Sequence, residues 1–264
     1  MNASPRAVMA LAATCAALSL SAHAADTIAT DRPDFVESSD VVGRGRVQIE
    51  TGFASERSKA DGATSRMAVT PTLLRLGFND VLEVRVETDG AARTTVTDAS
   101  GTQRERGTSD ASLGLKYHLQ DGDDAGKAGL ALLFHVDMDT GSGAYRGQGL
   151  RPSLRGVAEW ELPNNFSVGV MPGVAFDKND SGKRFAAGIL AVTVGKEWSP
   201  AWKTFVELSG QQLTSKKNGG SVVTFDAGVT YLVTDSVQLD FSIARGLTAD
   251  SPDFQWGVGL SVRF

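Results

Sequence analysis

The sequence predicts an all-β chain, a transmembrane antiparallel beta-barrel of the Gram-negative outer-membrane type with about twelve strands. Three observations predict it. Near the end of the chain, Phe254, Trp256, Val258, Leu260, Val262 and Phe264 are apolar, and the residues between them are small or polar. A strict period of two makes a strand with one oily and one wet face. That strand ends on Phe264, the residue expected to signal to the bacterial barrel-assembly machinery. At the other end, Arg6 precedes an uncharged run, 7–22, that finishes in Ala22-His23-Ala24. A charged start, a short apolar stretch and small residues at the cleavage point are those of a secretory signal peptide, expected to span 1–24. Third, the connections between strand-like segments alternate between long and short.

The strands are expected at 46–54, 67–78, 81–91, 109–119, 129–138, 150–162, 166–176, 184–198, 202–211, 222–233, 237–246 and at the carboxy-terminus. Lengths of about 9–12 residues match tilted membrane strands and exceed the usual soluble strand. Segments 67–78 and 184–198 alternate poorly, and Pro71 and Pro172 interrupt two segments as edge or bulge markers. Long polar connections are expected at 55–66, 92–108, 139–149, 177–183, 212–221 and 247–253. Short ones are expected at 79–80, 163–165, 199–201 and 234–236, with 120–128 breaking the rule. Long loops on one side and tight turns on the other are how such barrels are oriented, with the turns in the periplasm. Residues 46–264 therefore form the barrel, and 25–45 precede it.

Composition narrows the function classes. Cys15 is the only cysteine and lies in the predicted signal, which excludes a disulfide framework, a cysteine zinc site and a thiol nucleophile in the mature chain. A net charge of −5 leaves no nucleic-acid footprint. Mean hydropathy is −0.11, a value that hides a barrel because only alternate residues face lipid.

The face opposite the apolar one is charged. Glu50, Glu83, Arg85, Glu87, Lys116, His135, Arg151, Arg155, Glu159, Glu207, Asp240 and Arg263 are expected to line the lumen. Such charges either neutralise one another across neighbouring strands or select among solutes in a pore. A barrel of about twelve strands is wider than one that side chains fill and narrower than an open porin. Segment 25–45 lacks alternation. It is either a periplasmic tail or a plug, with Arg32 and Asp34 on wall charges and Phe35 as an apolar stopper.

Catalytic patterns are weak. His118 and His135 are the only histidines after the signal, and no H-E-x-x-H helix or G-x-S-x-G elbow accompanies them. The acidic stretches around Asp121 and Asp137 lack the spacing of a calcium loop and read as turns. The expectation is a non-enzymatic protein without cofactor or metal. Its partners are outer-membrane lipid, the assembly machinery with periplasmic chaperones, and a small-molecule solute.

Several segments together resemble a known family. They are Thr30-Asp31-Arg32-Pro33-Asp34-Phe35, Gln48-Ile49-Glu50-Thr51-Gly52-Phe53 and Thr70-Pro71-Thr72-Leu73-Leu74-Arg75-Leu76-Gly77-Phe78. Stretch 110–117, Leu239-Asp240 and Arg245-Gly246-Leu247-Thr248 add to them. They resemble the "putative MetA-pathway of phenol degradation" family of outer-membrane barrels, whose members are usually called transporters. The resemblance implies a beta-barrel and passage of a small aromatic or hydrophobic compound. The leading expectation is a channel for passive movement of a small solute. A plugged structural or adhesive barrel is the alternative, and a membrane-embedded hydrolase comes third.

Overall fold

The computed structural model describes residues 27–123, 125–179 and 181–264. The predicted signal peptide, 1–24, lies outside them. Fifteen strands follow in order: β1 (Val47–Ala60), β2 (Ala63–Val69), β3 (Thr72–Gly77), β4 (Leu82–Thr88), β5 (Ala91–Asp98), β6 (Gly101–Thr108), β7 (Ala111–Gln120), β8 (Gly129–Asp137), β9 (Arg151–Leu162), β10 (Phe166–Lys178), β11 (Arg184–Ser199), β12 (Trp202–Leu213), β13 (Val222–Thr234), β14 (Val237–Gly246) and β15 (Phe254–Arg263). All pair antiparallel in one sheet, and β15 returns to pair with β1, which closes the wall.

Three of the staves are each broken once. β2 runs into β3 across Thr70 and Pro71, β4 into β5 across Asp89 and Gly90, and β6 into β7 across Ser109 and Asp110. Counted as staves, the wall has twelve, an even number that places its first and last residues on the same, short-turn side. Pro71 cannot donate to a ladder, so the first break falls there. Gly90 supplies the second with φ +64. Pro172 leaves a similar mark, since the β9–β10 ladder skips Met171 and Pro172.

Two expected loops are not loops. Segments 55–66 and 92–108 carry the sheet onward as the β1–β2 and β5–β6 hairpins, which turn tightly at Asp61-Gly62 and Ala99-Ser100. Their sequences are polar on both faces, so no alternation marks them. A hairpin that rises past the lipid is wetted on both sides, and the period-two signal vanishes with the apolar face.

Burial is inverted relative to a soluble protein. Gln48, Glu50, Arg75, Glu83 and Lys116 are fully buried, while Leu113, Leu115, Phe134, Leu239 and Val258 are exposed. In water that would be costly. In a bilayer it is the stable arrangement, because the apolar faces meet lipid and the polar faces meet each other. Aromatic rings mark both rims. Phe78, Trp198, Trp202 and Phe264 are exposed at the short-turn end, and Phe53, Phe176, Phe225 and Phe254 at the long-loop end. Phe264 also seals the seam, where its N–H donates to the Val47 carbonyl at 2.8 Å.

Candidate functional site

Residues 27–45 carry no regular structure and run through the lumen, held by the wall along their length. Wall carboxylates accept from the backbone N–H groups of this segment. Glu50 takes Asp31 N at 3.0 Å. Glu207 takes Phe35 N and Val36 N, both at 2.8 Å. Glu159 takes Ser39 N at 2.5 Å, and Glu83 takes Val42 N at 2.9 Å. Buried backbone donors need acceptors. A coil cannot supply its own, so the wall does.

Wall cations do the reverse. Lys116 Nζ lies 2.8 Å from Asp31 Oδ1, and Arg85 Nη1 lies 2.6 Å from Asp31 Oδ2. Arg85 Nη2 reaches Glu37 at 2.7 Å, and Arg155 Nη1 reaches its other oxygen at 2.9 Å. Arg75 binds Glu83 and Glu50 on the wall and donates to the carbonyls of Ala29 and Asp40. His118 Nδ1 is 2.9 Å from the Ser39 carbonyl, and Gln48 donates to the Ala29 carbonyl at 2.8 Å. With Arg75 Nη1 3.3 Å from its Oδ2, Asp31 is gripped by three cations in a buried site. Burial alone would push its carboxyl up, but Arg75, Lys116 and Arg85 outweigh that and hold it well below the ordinary carboxylate range. Burial opposes ionisation of Glu37 too, and Arg85 beside it, with Lys116 and Arg155, keeps its carboxyl low.

An apolar seat completes the fit. Val36 packs with Ala131, Leu133, Val157, Met171 and Ala191 from the β8–β11 wall, and Phe35 lies against this cluster. The Arg155 guanidinium sits 5.5 Å from the Phe35 ring centre.

On the opposite wall Arg32 forms a latch. Its guanidinium lies 3.1 Å from Asp240 Oδ1 and donates to the Val258 carbonyl. Gly52 and Gly259 face each other across β1 and β15 and leave the notch that it fills. A Cβ on Gly259 would stand 2.5 Å from Arg32 Nε and 2.4 Å from Asp240 Oδ2. Two cavities flank the segment. One of about 520 Å³ opens toward the short turns and includes Glu159, Trp202 and Lys203 in its lining. The other, of about 410 Å³, opens toward the long loops and includes Glu56, Asp89 and Asp226. Arg32 and Asp34 line both, so they form the partition between them.

The remaining charged positions sit as follows. Glu87 Oε2 is 3.6 Å from His135 Nδ1, and the His135 ring lies over Gly114. Arg151 stands nearer the long-loop rim, 2.6 Å from Asp110. Arg263 is at the short-turn end, where it donates to the Thr27 carbonyl at 3.4 Å. Asp34, expected on a wall charge, makes no close ion pair among the described residues, and burial pushes its carboxyl up to about 7. Asp123 accepts from Ala125 N and Lys127 N, as a turn aspartate does. Sequence reasoning missed Asp31, Glu37 and Arg75. Arg75 belongs to a poorly alternating stave. The two acids belong to a coil, where no period separates a contact residue from a solvated one.

Residues 30–264 match the family described as "Putative MetA-pathway of phenol degradation". The chain belongs to that family. Among solved structures, it is similar to an outer-membrane channel from Pseudomonas putida F1, with a TM-score of 0.62 at 12% identity over 86% of this chain and 98% of that one. It is also similar to the translocator domain of the autotransporter NalP from Neisseria meningitidis, with a TM-score of 0.55 at 12% identity over 88% and 91%. The beta domain of the Bordetella autotransporter BrkA gives 0.54 at 15% identity over 83% and 99%. At these identities the likeness is one of fold. A comparison with curated proteins returned no match.

Proposed function

We propose that the protein is an outer-membrane channel for a small solute and that residues 27–45 close it from within. The carrying observation is the two cavities, of about 520 and 410 Å³, on either side of a segment clamped to the wall. A barrel filled for purely structural reasons has no need of a vestibule at each end. Apart from the seat of Val36 and Phe35, the contacts of the segment are polar, and it enters from the end of the barrel where β1 begins. It can therefore withdraw or shift without unfolding the wall.

The description of the family points to small aromatic compounds as the solute class, and the lumen serves as a conduit without chemistry of its own. Orientation follows the loops, with the short turns in the periplasm and the long loops outside. Phe264 and the seam it seals are what the barrel-assembly machinery would read, after periplasmic chaperones deliver the chain. Export would rest on the signal at 1–24.

Liposome swelling tests the transport reading. Liposomes carrying the refolded protein without residues 25–45 should swell in small neutral solutes to which the lipid is tight, faster than protein-free liposomes and faster than those carrying the intact protein, and larger sugars should not pass. Swelling no faster than the lipid control, with and without residues 25–45, would overturn it.

A further inference from the structure

The β1–β2 and β5–β6 hairpins carry the sheet past the aromatic rim at the long-loop end, and pairing register fixes which side chains share their outer face. Arg57 stands beside Phe254 on one side and opposite Arg66 on the other. Arg66 stands beside Thr95, which is opposite Arg104. One step along, Ala68 pairs with Arg93, and Arg93 stands opposite Arg106. Lys59 lies on the same face, two residues beyond Arg57. Arg57, Lys59, Arg66, Arg93, Arg104 and Arg106 are all exposed, and they face outward with Phe53, Phe254 and Trp256. The acids segregate. Register links Glu56 through Met67 and Thr94 to Glu105 on the inner face.

Two of these contacts, Arg57 with Arg66 and Arg93 with Arg106, place like charges directly opposite each other, which destabilises a sheet. Among the described residues none of the six cations makes an ion pair with an acid. A face of this kind is stable where an anion with several oxygens bridges neighbouring guanidinia. Arginine fits phosphate in this way better than lysine does. The height of the patch says where that anion comes from. Phe254 and Trp256 mark the edge of the lipid band, and the cations begin at the residue paired with Phe254, the level of the lipid headgroups.

We propose that this face binds the phosphorylated headgroup of an outer-leaflet glycolipid. The bridging phosphates neutralise the opposed arginines and fix the height of the two hairpins over the mouth of the barrel. This assignment is independent of whether the lumen conducts.

The test uses the refolded mature protein in detergent micelles, with native mass spectrometry and thermal unfolding as readouts. The probes are diphosphorylated lipid A, the same lipid after dephosphorylation, and inorganic phosphate. Diphosphorylated lipid A should stay bound and raise the melting temperature, and the dephosphorylated lipid should do neither. Arg57→Gln, Arg66→Gln, Arg93→Gln and Arg106→Gln combined should weaken retention by roughly tenfold or more, with unchanged heat-shifted migration on gels. Equal binding of both lipids would overturn the proposal, as would unchanged binding by the variant. Inorganic phosphate alone giving the full shift would make the patch a free-anion site and overturn the lipid assignment. If the variant does not fold, the pair of lipids on the native protein decides alone.

Discussion

Asp31 shows how much one side chain in a coil can hold. Its carboxylate meets Arg75, Arg85 and Lys116 in a buried site. Removing one partner of a buried ionic cluster leaves the others uncompensated and costs about 3–5 kcal/mol. Asp31→Asn should therefore loosen the segment by that order while the barrel itself stays assembled. Limited proteolysis within 27–45, faster in the variant at unchanged heat-modifiability, checks this. The same group sets a pH dependence. Its docked pKa lies below the ordinary value of 3.8, so its contribution is fully present above that value and is lost only as pH falls further. Glu37 has the same sign. Protection of the segment should hold from neutral pH through mild acid and fail only below about pH 4. Loss of protection between about pH 5 and 7 would contradict the charge clamp as the main tether.

Elements give the clamp its geometry. The polar wall faces exist because β strands alternate. The same alternation that puts Leu113 and Leu115 into lipid puts Ser112 and Lys116 toward the lumen. The Gly52–Gly259 pair is a feature of two strands in register rather than of either alone. Gly259→Ala should push Arg32 off Asp240 without disturbing the β1–β15 ladder. The expected outcome is a barrel of normal heat-modifiability with a more accessible partition, read as faster labelling of a cysteine placed at Asp34. Labelling at the native rate would show that Arg32 does not close the passage.

This scale also shows what the sequence disclosed. Membrane-level strands were legible from period two, because lipid on one side and a polar lumen on the other leave a chemical record. The hairpins at 55–66 and 92–108 were not, because water on both faces erases it. Arg75 was hidden for a related reason, in a stave broken at Pro71. The path of 27–45 was legible only as a short list of options. Its contacts depend on where Glu50, Glu83, Glu159 and Glu207 converge in space, and those four come from four separate strands.

At the scale of the whole molecule, the barrel and its inner segment have separate sources of stability. The wall is held by a continuous antiparallel ladder closed on itself and by apolar faces in lipid. The segment is held by hydrogen bonds and ion pairs to that wall, with one small apolar seat at Phe35 and Val36. A closed cylinder with a mostly polar insert held by side-chain contacts is suited to a channel whose closed state is the resting one.

Planar-bilayer conductance of the refolded mature protein, with and without residues 25–45, tests this most directly. The intact protein should be quiet, with at most brief openings, and should conduct steadily once the segment is removed. Large steady conductance in the intact protein, unchanged by the deletion, would contradict it.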